Sequence, residues 1–194
     1  MFCASIGVVS PVTQEILVGV IYNPALDEMT TAIQNQGCHL NGQLLLDHTK
    51  NQEELSEPSK HDGFTLDKSV INIGFPVVQK STLLVSSRAI TALCTKVRGV
   101  RMIACASQVM AWVAQGKLQA YVSWDLNAWD IAAGILIVRE AGGNVCDMSK
   151  YGSDDSGDSE ATVETRDMVA SCVGGLNMRN ELLHVLKEND CLTY

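Results

Sequence analysis

The sequence predicts an α/β protein: antiparallel β in its first part, strands alternating with helices from residue 70 onward. Three observations carry this. Asn41-Gly42 follows the short run Cys38 to Leu40 and is a strong two-residue hairpin signal. After Lys68, apolar runs of strand length alternate with longer runs of helical spacing. Trp129-Asp130 opens the run Ile131-Ala132-Ala133-Gly134-Ile135-Leu136-Ile137-Val138, a helix apolar on nearly every side and therefore buried.

Taken in order, Ser5 to Val9 reads as a strand, and Ser10-Pro11 turns the chain into a second strand, Ile16 to Tyr22. Asn23-Pro24 breaks that strand, and Glu28 to Ile33 alternates weakly as a third. Asp47 to Lys68 is polar, contains Pro58 and Gly63, and reads as a loop or insertion. Val70 to Phe75 is a short apolar strand ended by Pro76, and Gln79 to Val97 has helical spacing through Leu83, Leu84, Ile90 and Leu93. Strand Val100 to Ile103, helix Ser107 to Gln115 (stopped by Gly116) and strand Ala120 to Trp124 follow. Gly142-Gly143 closes the Trp129 helix, Val145 centres a strand, and Gly152 to Glu160 reads as an acidic solvated loop. Met168 to Cys172 is the last strand; Asn180 to Lys187 is the last helix, with Leu182, Leu183 and Leu186 inward.

The chain has 194 residues, 46% apolar and 19% charged, which suits one domain with a full core or two small lobes. Its formal charge of −8, with no cluster of Lys or Arg, argues against nucleic acid as a partner. An anionic substrate would be repelled unless a bound cation intervened. Seven scattered cysteines without a Cys-x-x-Cys pair read as reduced thiols of an intracellular, cytoplasmic protein, and the four histidines show no zinc-ligand spacing. No apolar run approaches the roughly 20 residues of a membrane helix, so no membrane association is expected. No basic leader precedes a cleavage pattern, and a chain that starts within a strand looks cut.

Asp130 is the first candidate for chemistry. Asn127 as N-cap with Asp130 at the third helical position is a capping box, and local sequence favours that role over metal ligation. A carboxylate has lone pairs for both. Asp125, just before the helix, reads as a solvated turn carboxylate, the alternative being a contact to substrate or a support behind the site. Glu140 lies ten residues beyond Asp130, about 15 Å along the helix at roughly 1.5 Å per residue, and cannot share a metal with it. Arg139-Glu140 marks the solvent-facing helix end. Asp154-Asp155-Ser156-Gly157-Asp158 lacks calcium-loop spacing, and Cys105, after a strand end, reads as a buried, inert thiol, the alternative being a reactive one.

Trp129-Asp130-Ile131-Ala132-Ala133-Gly134, followed by Ile137-Val138-Arg139-Glu140-Ala141-Gly142-Gly143, resembles the C-terminal signature of the inositol monophosphatase family. Gly19-Val20 before Tyr22-Asn23-Pro24, Gly37-Cys38-His39-Leu40-Asn41-Gly42 and Gly99-Val100-Arg101 resemble further family stretches. The resemblance implies a layered α/β/α/β/α sugar-phosphatase fold whose first lobe is incomplete here. Residues 1–68 would be the remainder of that lobe and 69–194 the second lobe. It further implies Mg2+-dependent, often lithium-sensitive hydrolysis of a small phosphate monoester, inositol monophosphate or a related sugar phosphate, by an intact protein that is a homodimer. By the same resemblance Asp130 is a metal ligand, while Ala104, Cys105, Ala106 and Ser123 face the substrate. Two departures stand out. The family's Glu-rich helix segment and its Asp-Pro-Ile/Leu-Asp-Gly-Thr stretch, which supply the other metal carboxylates, do not occur in this sequence. Ser123 stands where animal enzymes carry an inositol-binding Glu. This chain alone is therefore expected to hold no complete catalytic set and to be inactive. The alternative is a non-catalytic truncated homologue that binds a full-length phosphatase.

Overall fold

The computed structural model describes residues 2–45, 64–74, 80–151 and 159–192. Two five-stranded sheets and four α-helices make up the described fold. The first sheet is an antiparallel meander of β1 (Ala4–Val9), β2 (Ile16–Asn23), β3 (Glu28–Ile33), β4 (Cys38–Leu40) and β5 (Gln43–Leu44), in that order. Asn41 (φ 50°) and Gly42 (φ 79°) form the β4–β5 turn. Two consecutive left-handed residues match the right-handed twist of the strands they join, which is why Asn-Gly marked the hairpin.

The second sheet comprises β6 (Val70–Ile73), β7 (Gly99–Arg101), β8 (Ala120–Ser123), β9 (Asn144–Asp147) and β10 (Met168–Ser171), ordered β7-β6-β8-β10-β9. Its first three strands in that order are parallel and the rest antiparallel. Helices α1 (Lys80–Leu93) and α4 (Leu176–Glu188) cover one face, over a core of Ile71, Ile73, Val122 and Val169. Helices α2 (Ala106–Ala114) and α3 (Ala128–Glu140) cover the other, against Tyr121, Met168 and Ala170. The same α2–α3 layer packs on the inner face of the first sheet. The layers thus run sheet, helices, sheet, helices.

Close contact explains the small residues of the Trp129-Asp130 segment. Every side chain from Ile131 to Val138 is buried. Gly7 and Gly19 are directly paired across β1 and β2. A Cβ on Gly19 would lie 2.6 Å from the Ala133 carbonyl oxygen, and one on Gly7 would lie 2.9 Å from the Ala132 Cβ. On its other side α3 meets α2, where a Cβ on Gly134 would lie 2.5 Å from the Met110 sulfur. Ala-Ala-Gly is what fits between those two surfaces.

No described element covers the outer face of the first sheet. Strand pairing puts Ala4, Ile6 and Val8 of β1, Val18, Val20 and Tyr22 of β2, and Met29, Thr31 and Ile33 of β3 on that face. Ile6 is 58% exposed and Ile33 45%. These strand positions carry no formal charge, and β1 is an edge strand of the sheet among the described residues.

Several boundaries differ from the sequence reading. Helix α1 ends at Leu93, where the Lys96 amide closes a tighter turn on the Leu93 carbonyl. Strand β7 stops at Arg101 because Ile103 leaves the sheet to bond Asn72. Helix α4 begins four residues before Asn180; Met178 and Arg179 in that added turn are buried, the guanidinium held by Asn144 and Asn180. Leu66–Lys68 is a short 3-10 turn with Leu66 buried, within the segment read as loop. Pro76, most of the Asp47 to Lys68 segment and Gly152 to Asp158 lie outside the described residues.

Candidate active site

Asn127, in extended conformation (φ −113°, ψ 161°), precedes α3. Its amide N–H donates to Asp130 Oδ2 at 3.0 Å, and its side-chain Nδ2 donates to the same oxygen at 3.4 Å. The Asp130 N–H donates in turn to the Asn127 carbonyl at 2.9 Å. The capping role expected of Asp130 is therefore present. It occupies Oδ2; Oδ1 makes no hydrogen bond to a described residue. The carboxylate is half-buried beside Trp129, which is 74% exposed.

Helix α2 brings a second N-terminus to the same place. Ser107 Oγ donates to the Asp130 carbonyl at 2.8 Å, tying the first turns of α2 and α3 together. Cys105 is the N-cap of α2, Ala104 before it is exposed, and Ala106 is half-buried. Asn72 on β6 holds the incoming loop: its Oδ1 accepts the Ile103 N–H at 2.8 Å. Free first-turn N–H groups give a helix N-terminus partial positive charge, so two converging N-termini favour an anion.

Ser123 lies on the β8 face that looks toward α2 and α3. It is 2% exposed, lying beside Gly74 and hydrogen-bonded to Tyr121. Burial pushes the Tyr121 hydroxyl well above its ordinary value; the Ser123 hydrogen bond works against this, and the charges of Asp130 and Cys105 add to it. Of the four residues expected to face substrate, Ala104, Cys105 and Ala106 adjoin Asp130 through α2, and Ser123 is closed off from solvent.

Three sequence expectations need correction here. Asp125 is an ion-pair partner of Arg166 and not a solvated turn carboxylate; its φ of 53° follows from a tight entry to α3, and its amide donates to Asp167 Oδ1 at 3.0 Å. Arg166 also donates to Asn127 Oδ1 at 3.3 Å, so it braces the cap that orients Asp130. Glu140 does not end in solvent. Its two oxygens accept the Asn35 and Gly37 amides at 2.8 and 2.7 Å, fastening the end of α3 to the β3–β4 turn. Arg139 donates to the Ala161 carbonyl at 2.6 Å and lies 3.2 Å from Glu160. Third, Cys105 is half-buried, not buried, with its sulfur 3.5 Å from that of Cys3.

All seven cysteines are free thiols, as their scatter suggested. Burial pushes the Cys3 thiol up to about 12, Cys105 adds to this through a hydrogen bond and its charge, and the Gln108 backbone works the other way. Among the described residues no group of three or more His, Cys, Asp or Glu side chains could hold a metal ion. Asp130 offers a carboxylate oxygen at the paired helix mouths. No helix among the described residues is long and apolar enough to cross a membrane.

Sequence reasoning missed Tyr121, Asn72, Ser107 and Cys3 as parts of this region. Tyr121 was accessible in principle, because it stands two residues before Ser123 and so shares its strand face. Cys3 was not, since it meets Cys105 across a separation of 102 residues.

The sequence profile described as the inositol monophosphatase family matches residues 1–186. An inositol-1-monophosphatase of Mesorhizobium japonicum is 36% identical over 137 residues, covering 69% of this chain and 46% of that protein. The Nus factor SuhB of Haemophilus influenzae is 34% identical over 131 residues, covering 68% and 44%. Among solved structures, the native extragenic suppressor protein suhB of Bartonella henselae superposes with a TM-score of 0.75 at 28% identity, over 97% of this chain and 63% of that one. An inositol monophosphatase from Anabaena (Nostoc) reaches a TM-score of 0.77 at 24% identity, over 97% and 67%, a likeness of fold. The chain spans about half the length of the curated relatives it matches.

Proposed function

The chain belongs to the inositol monophosphatase family, and from that premise we propose that it carries one side of a Mg2+-dependent phosphomonoesterase site. In the intact protein that site would hydrolyse inositol monophosphate or a related sugar phosphate, with the lithium sensitivity and homodimeric assembly the family resemblance implies, in the cytoplasm. Residues 1–68 would contribute the remainder of the first lobe and 69–194 the second.

The observation that supports this reading is the Ser107–Asp130 hydrogen bond, 2.8 Å long, which sets two helix N-termini beside one carboxylate. The N-termini attract a phosphate and the carboxylate repels it. A cation between them resolves the conflict. Bound Mg2+ would supply charge neutralisation and an activated water. Asp130 Oδ1 fits one ligand position. Ala104, Cys105 and Ala106 would present the α2 mouth to the phosphate, and Ser107 and Asn72 would hold that mouth in place. Ser123, short and buried, leaves the site without the carboxylate that would select inositol hydroxyls, so related sugar phosphates remain substrates. With one carboxylate, Mg2+ would keep most of its water ligands. The chain alone is therefore expected to be inactive.

The test is phosphate release from inositol 1-phosphate and from a set of sugar phosphates, with and without Mg2+, together with amide NMR of Ala106 and Ser107. Mg2+ plus inorganic phosphate should shift those amides, Asp130→Asn should abolish the shift, and turnover by the chain alone should be absent. Turnover that Asp130→Asn abolishes would overturn the inactive-alone reading. Amide shifts unchanged by Asp130→Asn would overturn the assignment of Asp130.

The uncovered apolar face of the first sheet favours a second reading, a non-catalytic partner of a full-length phosphatase. Some relatives carry the name Nus factor and not that of a phosphatase. Size-exclusion chromatography with light scattering discriminates: a well-behaved monomer at high concentration counts against it.

A further inference from the structure

Cys3 precedes the edge strand β1, and Cys105 caps α2, where the backbone (φ −149°, ψ 88°) lies outside the helix. Their sulfurs stand 3.5 Å apart. Both residues are half-buried, whereas Cys38, Cys146, Cys172 and Cys191 are buried and Cys94 is exposed. A disulfide needs about 2.05 Å between sulfurs, so small side-chain rotations at the residue before β1 and at a helix cap close the gap. We propose that Cys3 and Cys105 form an oxidative modification site, a dithiol that low-molecular-weight disulfides convert to an intramolecular disulfide at the mouth of α2.

The exchange runs in two steps. The Cys105 sulfur attacks one sulfur of the small disulfide and gives up its proton. That S–S bond breaks, one small thiolate leaves and takes a proton, and Cys105 carries a mixed disulfide. Cys3 then attacks the Cys105 sulfur. The mixed disulfide breaks, the protein S–S bond forms, and the Cys3 proton ends on the second departing thiol. Two protein thiols lose two electrons and two protons; one small disulfide is reduced to two thiols.

Position gives Cys105 the first role and Cys3 the second. Cys105 follows the exposed Ala104, and the Cys3 sulfur, 3.5 Å from that of Cys105, is placed to attack it next. The resulting bond would fasten the sheet edge to the turn that contains Ala106 and Ser107. Its effect on phosphate binding rests on the proposed function; the existence of the site does not.

The test uses the whole chain and glutathione disulfide as probe, with acid quenching, alkylation and peptide mapping by mass spectrometry. The expected product joins the Cys3 and Cys105 peptides with loss of two hydrogens and no retained glutathione, and dithiothreitol reverses it. It should form about tenfold faster than any pairing that involves Cys94, because the two thiols are held at high effective concentration. Cys3→Ser should trap glutathione on Cys105, and Cys105→Ser should leave Cys3 unmodified. Glutathione retained on Cys105 in the unaltered chain, or both thiols still open to alkylation after Cys94 has reacted, overturns the proposal. The unaltered chain suffices for that decision even where a variant fails to fold.

Discussion

Substituting Gly19 by Ala tests the close approach that seats α3. The added Cβ would lie 2.6 Å from the Ala133 carbonyl oxygen, 3.2 Å from its Cα and 3.3 Å from its carbonyl carbon. Ordinary contact begins at 3.4 Å, so strand or helix must separate by about 0.8 Å. The obstacle is backbone on both sides, and no side chain can rotate away. Overpacking of this kind costs about 2–3 kcal/mol, which for a chain of this size lowers Tm by roughly 5–10 °C. Gly134→Ala is the internal comparison. Its nearest neighbours belong to the Met110 side chain, at 2.5 Å from the sulfur and 2.8 Å from Cβ. The thioether can rotate away, the Met110 Cβ then asks for a separation of about 0.6 Å, less than at Gly19, and Ala in a helix regains up to about 1 kcal/mol over Gly. Thermal unfolding followed by circular dichroism should therefore rank Gly19→Ala below Gly134→Ala, with both below the unaltered chain. A neutral Gly19→Ala, or one no worse than Gly134→Ala, refutes the packing argument.

Glu140→Ala should lower stability by about 1–3 kcal/mol, because two backbone amides of the β3–β4 turn lose a charged acceptor; hydrogen exchange at Asn35 and Gly37 should speed up, and unchanged protection there would contradict the clamp. Asp167 gives a pH-dependent case. Burial, opposed by the Asp125 amide and reinforced by the charges of Asp147 and Asp125, raises its value above the ordinary 3.8. Its contribution to stability is then complete below 3.8 and is lost as pH rises through the higher folded-state value. Asp167→Asn keeps an oxygen for the Asp125 amide but not the charge, so the Tm gap between variant and unaltered chain should move in the variant's favour as pH rises above 3.8. A gap that stays flat with pH would show that the buried charge is not the cause.

The fold was legible where periodicity and turn chemistry act locally. Asn41-Gly42 announced its hairpin because two positive-φ residues in sequence have few other uses. The all-apolar run after Asp130 announced a helix between layers because no surface helix tolerates it. The start of α4 was hidden because Asn177, Arg179 and Asn180 look solvated, and the burial of Arg179 depends on Asn144, which approaches only in the fold. The same limit applies to the site. Asp130 and its cap lie within four consecutive residues and could be read directly. The roles of Glu140 and Asp125 depend on the Asn35–Gly37 turn and on Arg166, both far away in sequence, so each was read as solvent-facing. Length and charge carried no information about the open outer face of the first sheet; only strand register reveals it.

The division of labour between the two oxygens of Asp130 makes its two roles separable by experiment. Oδ2 belongs to the cap, and the cap is braced from outside by Arg166. That arrangement fixes the carboxylate plane and aims Oδ1 independently of any ligand. Asparagine at this position retains an oxygen for the Asn127 amide, so Asp130→Asn should cost about 1 kcal/mol or less in stability. It removes the charge on which a cation at Oδ1 would depend, so cation-dependent shifts at Ala106 and Ser107 should vanish while the fold persists. Asp130→Ala removes both and should lose stability by about 0.5–2 kcal/mol. If the asparagine variant unfolds as readily as the alanine one, the charge itself is needed at the helix mouth. Asp130 would then be a cap first, and the small residues behind it would record packing between two sheets and nothing more.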